Sequence, residues 1–140
     1  MKRRRRTEIL INGSQKRTED MVHVIDEHYQ VKVIQEPESG LVMVKVRETS
    51  QNSLFYPGEV LVTECKVQIK GTIGIGIVTG DQPELAYNLA VIDAAFEAKL
   101  PETIGWVRLL ENEEKLILEQ RAAASHTILK TKVDFETMDV

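Results

Sequence analysis

Leu85, Leu89, Ile92, Phe96 and Leu100 follow one another at steps of four, three, four and four residues, the spacing of one face of an α-helix. Gly80-Asp81-Gln82-Pro83 turns the chain into this segment. Pro83 suits the first helical position, Asp81 or Gln82 suits the cap, and Pro101 closes the helix. Upstream the period changes to two. From Glu59 to Thr79, Leu61, Cys65, Val67 and Ile69 share one face, and Glu64, Lys66, Gln68 and Lys70 share the other. Lys70-Gly71 is a hairpin tip, after which Ile73, Ile75 and Ile77 continue the alternation. Val42, Val44 and Val46 alternate with Lys45 and Arg47, which predicts a half-exposed antiparallel strand. Val31 to Glu36 predicts another short strand, separated from it by turn chemistry at Pro37, Glu38, Ser39 and Gly40. Thr49 to Ser53 reads as a polar loop.

The ends are mostly helical in pattern. Residues 1–12 predict a short helix stopped by Gly13, and Gln15 to Tyr29 a second, with its stripe at Met21, Val22, Val24, Ile25 and Tyr29. Ile104 to Leu110 reads as an extended connection because Gly105 weakens a helix there. Asn112, Glu113 and Glu114 look like a capped helix start, with that helix reaching about Leu129. Thr131 to Met138 alternates Val133 and Phe135 against Asp134 and Glu136 and predicts a closing strand. Strands and helices each run together, which argues for an α+β fold: an antiparallel sheet of about four to five strands packed against helices. Two helices stand at the N-terminus and two precede the C-terminal strand. The expected organisation is a single domain over 1–140, with residues 1–8 as a flexible basic tail.

Charge and composition narrow the function. Lys2 to Arg6 carry five positive charges in a chain of net charge −4, so the remainder is acidic, at −9. That remainder has 13 basic and 22 acidic residues and no aromatic platform beside the arginines, which argues against nucleic acid. No apolar run reaches the roughly 20 residues of a membrane span, and the basic start lacks an apolar stretch long enough for a signal peptide. A single cysteine, Cys65, excludes an intramolecular disulfide. The cytoplasm is the expected compartment.

The candidate chemistry is sparse. Gly71, Gly74, Gly76 and Gly80 fit neither a dinucleotide fingerprint nor a P-loop. Gly74 and Gly76 instead leave bare the sheet face opposite the isoleucines. A backbone, helix or partner can approach such a face closely, and close packing is the first reading, a ligand cradle the second. His23 and His28 are five apart and point about 140° from each other on a helix. His126 does not poise Ser125. Cys65 reads as a buried small hydrophobe rather than a nucleophile. Asp93 sits at the edge of an apolar helical stripe and needs a donor, either as a structural acceptor or as a site carboxylate.

Taken in order, Gly58-Glu59-Val60-Leu61-Val62-Thr63, Val67, Gly71-Thr72, Gly74, Gly80, Ala86, Ala90, Ile92-Asp93-Ala94 and Thr131-Lys132-Val133-Asp134-Phe135-Glu136-Thr137-Met138 resemble the PhnG family, the G subunit of the bacterial carbon–phosphorus lyase core complex. The resemblance implies a role in organophosphonate catabolism. It implies work with H-, I- and J-type subunits and an L-type ATPase-like protein. Together the G, H, I and L proteins would replace the adenine of ATP by a phosphonate, giving a ribose 1-phosphonate 5-triphosphate. ATP would be a substrate of the complex, and an iron–sulfur cluster would reside on the J-type partner. No cofactor, metal or catalytic residue is carried onto this chain, and the isolated chain is expected to be inactive. The family-motif and interface candidates are Gly58, Glu59, Thr63, Gly71, Gly74, Gly76, Gly80, Asp93, Asp134, Phe135 and Met138. The leading expectation is a subunit of a multi-subunit transferase, acting mainly in assembly. The alternatives are a stand-alone homodimeric ligand-binding module, or a small enzyme using Asp93.

Overall fold

The computed structural model describes the backbone of residues 1–47 and 54–138 and the side chains of residues 1–43 and 58–125. The polar loop expected at Thr49 to Ser53 lies outside the described residues. The elements in chain order are α1 (Arg3–Asn12), α2 (Gln15–His28), β1 (Lys32–Arg47), β2 (Leu54–Ile69), β3 (Thr72–Thr79), α3 (Pro83–Glu97) and α4 (Glu102–Met138). The chain divides into two compact units, one of residues 15–103 and one of residues 1–14 with 104–140.

The larger unit is α+β. Its sheet has three antiparallel strands in the order β1-β2-β3, fewer than the four to five the alternation suggests. The two short strands expected on either side of Pro37 are one long strand. Two β-bulges absorb the irregular chemistry: pairing moves from Val33↔Val67 to Gln35↔Lys66, then to Glu38↔Glu64, so β1 carries an extra residue at each step. Pro37 falls in the second of these. A proline that cannot donate to the ladder is tolerated at a bulge on an edge strand. The β2–β3 hairpin turns at Lys70-Gly71 as expected, both residues taking positive φ (50° and 79°), the conformation of a two-residue type I′ turn.

Helix α3 lies on the inner sheet face against β2 and β3, and α2 packs against α3. The core between them holds Cys65, Val67, Ile69, Leu85, Leu89, Val91 and Ile92, with Met21, Val22 and Ile25 from α2. Helix α3 stops before Pro101. Lys99 adopts a left-handed φ of 55°, its N–H donates to the Phe96 carbonyl (3.1 Å), and the Leu100 N–H donates to that of Ala95 (3.1 Å). This is a Schellman closure.

In the smaller unit the basic run forms the first turns of α1 instead of a tail, and Arg6 is buried. The Arg5 guanidinium donates two hydrogen bonds to the Glu114 carboxylate (Nε 3.0 Å, Nη2 2.6 Å). That bond and the paired charge raise the Arg5 pKa and lower that of Glu114. The Ser14 N–H donates to Glu113 Oε1 at 2.8 Å. Three expectations fail along α4. Residues 104–110 are helical, because Trp106, Leu110 and Glu113 are buried at helical spacing and outweigh the roughly 1 kcal/mol propensity cost of Gly105. Asn112 is therefore interior to a helix, not a cap. Residues 131–138 are helical too. Nothing after Gly105 is a glycine or proline, so the helix propagates through a segment whose alternation is too short to oppose it.

Candidate functional site

Five of the eleven candidate positions, Thr63, Gly74, Gly76, Gly80 and Asp93, meet at the seam between the sheet and α3 or at its entrance. On β3 the isoleucines face outward and are two-fifths to one-half exposed, whereas Gly74 and Gly76 face α3. A Cβ on Gly74 would press into the Ala90 carbonyl and the Ala94 amide, and one on Gly76 into the Ala86 carbonyl and the Ala90 amide. The bare face is therefore occupied by the chain's own helix, whose small Ala86, Ala90 and Ala94 permit the approach. Gly74 and Gly76 are core positions of this unit.

Asp93 projects from the same helix. It is 5% exposed, and its Oδ2 accepts a hydrogen bond from the Ile75 N–H at 2.9 Å. A carboxylate bound to a backbone amide inside the seam orients the helix on the strand.

Thr63, on β2 opposite Val78, is 1% exposed. Its hydroxyl donates to the Gly80 carbonyl (2.6 Å) and accepts from the Gln82 N–H (3.0 Å). Gly80 itself sits at φ 87° and donates to the Leu61 carbonyl (2.8 Å), while the Gln82 side chain donates to the Thr79 carbonyl (2.8 Å). One threonine thus fixes the crossing from β3 into α3. Thr63→Val should cost about 1–3 kcal/mol, the range for stranding buried backbone groups; urea unfolding checks it, and an unchanged midpoint would remove this role. The sequence pattern marks Thr63 only as part of a motif, because its partners lie beyond the hairpin.

The other candidates disperse. Gly71 is in the hairpin turn, and Gly58 and Glu59 are exposed on the far part of β2. Asp134, Phe135 and Met138 lie on the α4 backbone, with side chains outside the described set. His23 pairs with Glu27 (2.9 Å), and His28 Nδ1 is 2.9 Å from the Val24 carbonyl. Cys65 is fully buried, and burial pushes its thiol pKa up, with the charge of Glu36 adding to this. Tyr87 donates to Asp26 (3.3 Å); burial first, then that carboxylate, pushes its phenol up to about 12. No group of three His, Cys, Asp or Glu side chains among the described residues is arranged to hold a metal, and no described helix is long and apolar enough to cross a membrane.

Beyond β3, which ends opposite Val62, strands β1 and β2 continue as a two-stranded ribbon, pairing from Gly40↔Val62 to Arg47↔Leu54. Leu41 (65%), Val42 (49%) and Met43 (57%) are exposed on both of its faces.

The described chain is thus a small α+β sheet unit fastened to one helix, with an exposed apolar ribbon continuing beyond it. The comparisons place such a chain in phosphonate metabolism. The family described as "Phosphonate metabolism protein PhnG" matches residues 1–139, and the chain belongs to it. Among curated proteins, the "Alpha-D-ribose 1-methylphosphonate 5-triphosphate synthase subunit PhnG" of Rhizobium meliloti (strain 1021) is 30% identical over 115 residues, covering 81% of this chain and 73% of that protein.

Proposed function

We propose that the chain is a subunit of a ribose 1-methylphosphonate 5-triphosphate synthase in organophosphonate breakdown, and that it serves there as an assembly element. The name of the Rhizobium relative supports the activity. The observation that carries the assembly role is the ribbon. An isolated two-stranded ribbon is marginal in water, and one exposing leucine, valine and methionine on both faces gains stability by burying them against another chain. The partner in this reading is the I-type subunit, within a complex that also holds H- and J-type subunits and acts with the L-type protein. ATP is then a substrate of the whole complex, any iron–sulfur cluster belongs to the J-type partner, and the location is cytoplasmic. Asp93, already bound to a β3 amide, acts as a structural acceptor.

Leu41→Lys with Met43→Lys tests this. The pair lies beyond the helix-covered part of the sheet, so the melting temperature of the isolated chain should shift little. Co-purification with a co-expressed I-type subunit should fall at least tenfold. Undiminished co-purification would remove the ribbon from the interface. Adenine release from ATP and methylphosphonate by the purified chain alone would overturn the assembly role.

A further inference from the structure

At the opposite end of the same hairpin, His28, Tyr29, Gln30, Lys32, Gln68, Lys70 and Gly71 line a shallow basin of about 470 Å³. No carboxylate lines it, in a chain whose residues after Arg6 sum to −9. Neither Lys32 nor Lys70 is in an ion pair among the described residues, whereas Lys66 on the same sheet pairs with Glu64 at 3.4 Å. The two lysines thus have no direct ion-pair partner among the described residues.

The basin is also held in shape. The Tyr29 hydroxyl donates to both oxygens of Glu102 (2.9 and 3.1 Å), which fixes the ring and, through that bond first, raises the phenol pKa. The Lys70 ammonium sits over the ring, 5.0 Å from its centroid, within reach of a cation–π attraction. The type I′ turn at Lys70-Gly71 sets the start of its stem. His28 Nδ1 donates to the Val24 carbonyl at 2.9 Å, which holds the ring in the basin wall. Gln30 and Gln68 supply neutral amide donors.

We infer that this basin is a binding site for a small phosphorus oxyanion of the phosphate or phosphonate class. Two ammonium groups and two amides match a compact dianion with several acceptor oxygens better than a monovalent carboxylate. The inference stands apart from the ribbon and its partner, and its test uses the isolated full chain.

Isotopically labelled protein is titrated at low ionic strength with inorganic phosphate and, separately, methylphosphonate, against sodium chloride at matched ionic strength. Saturable amide shifts confined to residues 28–32 and 68–72 are expected with one or both phosphorus anions and not with chloride; which one saturates first identifies the source. Lys32→Gln with Lys70→Gln should weaken binding about tenfold or more, one decade corresponding to about 1.4 kcal/mol. If the Lys70 substitution disturbs the hairpin, Lys32→Gln alone carries the comparison, since Lys32 is exposed. Equal shifts with chloride, or binding unchanged in the lysine variants, would each overturn the proposal.

Discussion

Gly76→Val should leave the chain without a stably folded larger unit. The glycine Cα faces the α3 backbone so closely that even one added carbon meets the Ala86 carbonyl and the Ala90 amide at less than 3.0 Å. The obstructing atoms are backbone, so they cannot rotate away as a side-chain tip would. Overpacking in a close-packed core costs about 1–3 kcal/mol, and more where the backbone must shift. Gly76→Ala should fall in that range. Gly76→Val adds two further carbons and should exceed about 4 kcal/mol, the mark of severe core damage. Gly74→Val meets Ala90 and Ala94 in the same way and should behave alike. Gly105→Ala is the internal contrast: its Cβ would enter open space on a helix, and the exchange should stabilise by about 0.5–1 kcal/mol. Circular dichroism melts of the four variants check the series. β-branched residues otherwise favour strands, so a neutral or stabilising Gly76→Val would mean that α3 does not lie where the seam places it.

Substitution of Asp93 should separate shape from charge. Asp93→Asn keeps an oxygen 2.9 Å from the Ile75 amide and should cost about 1 kcal/mol or less, the worth of one ordinary hydrogen bond. Asp93→Leu removes the acceptor at a position 5% exposed and should cost about 2–3 kcal/mol. Assembled into the synthase, the Asn variant should retain product formation. A well-folded Asp93→Asn protein that still joins its partners but loses a thousandfold in rate would make this residue a catalytic group instead.

These two features were legible before any coordinates. The alternation of Ile73, Ile75 and Ile77 with two glycines announces a strand with one bare face, and the Leu85 to Phe96 stripe announces the helix. What the pattern leaves open is which body covers the glycines; Ala86, Ala90 and Ala94, four apart on that helix, answer it once the two are stacked. Asp93 was legible as an acceptor in need of a donor. The C-terminal segment misleads because Val133 and Phe135 satisfy a two-residue period while the residues preceding them lack any helix stop. Pro37 misleads because a proline in an edge-strand bulge and a proline in a turn have the same local sequence. The basin at Lys32 and Lys70 had no sequence signal, since the two lysines are neighbours only through the pairing of β1 with β2.

The Asp93 bond also bears on what happens when many copies share one solution. In the ladder opened by the Lys70-Gly71 turn, hydrogen-bonded pairs alternate from Ile69↔Thr72 onward. The amides of Ile73, Ile75 and Ile77 therefore point away from β2, along the free edge of the sheet. A row of unpaired donors beside exposed β-branched side chains is a template for strand addition and fibre growth. By occupying the middle donor with a carboxylate from its own helix, the chain interrupts that template at its centre. An incoming strand would have to displace a buried charge to pair in register.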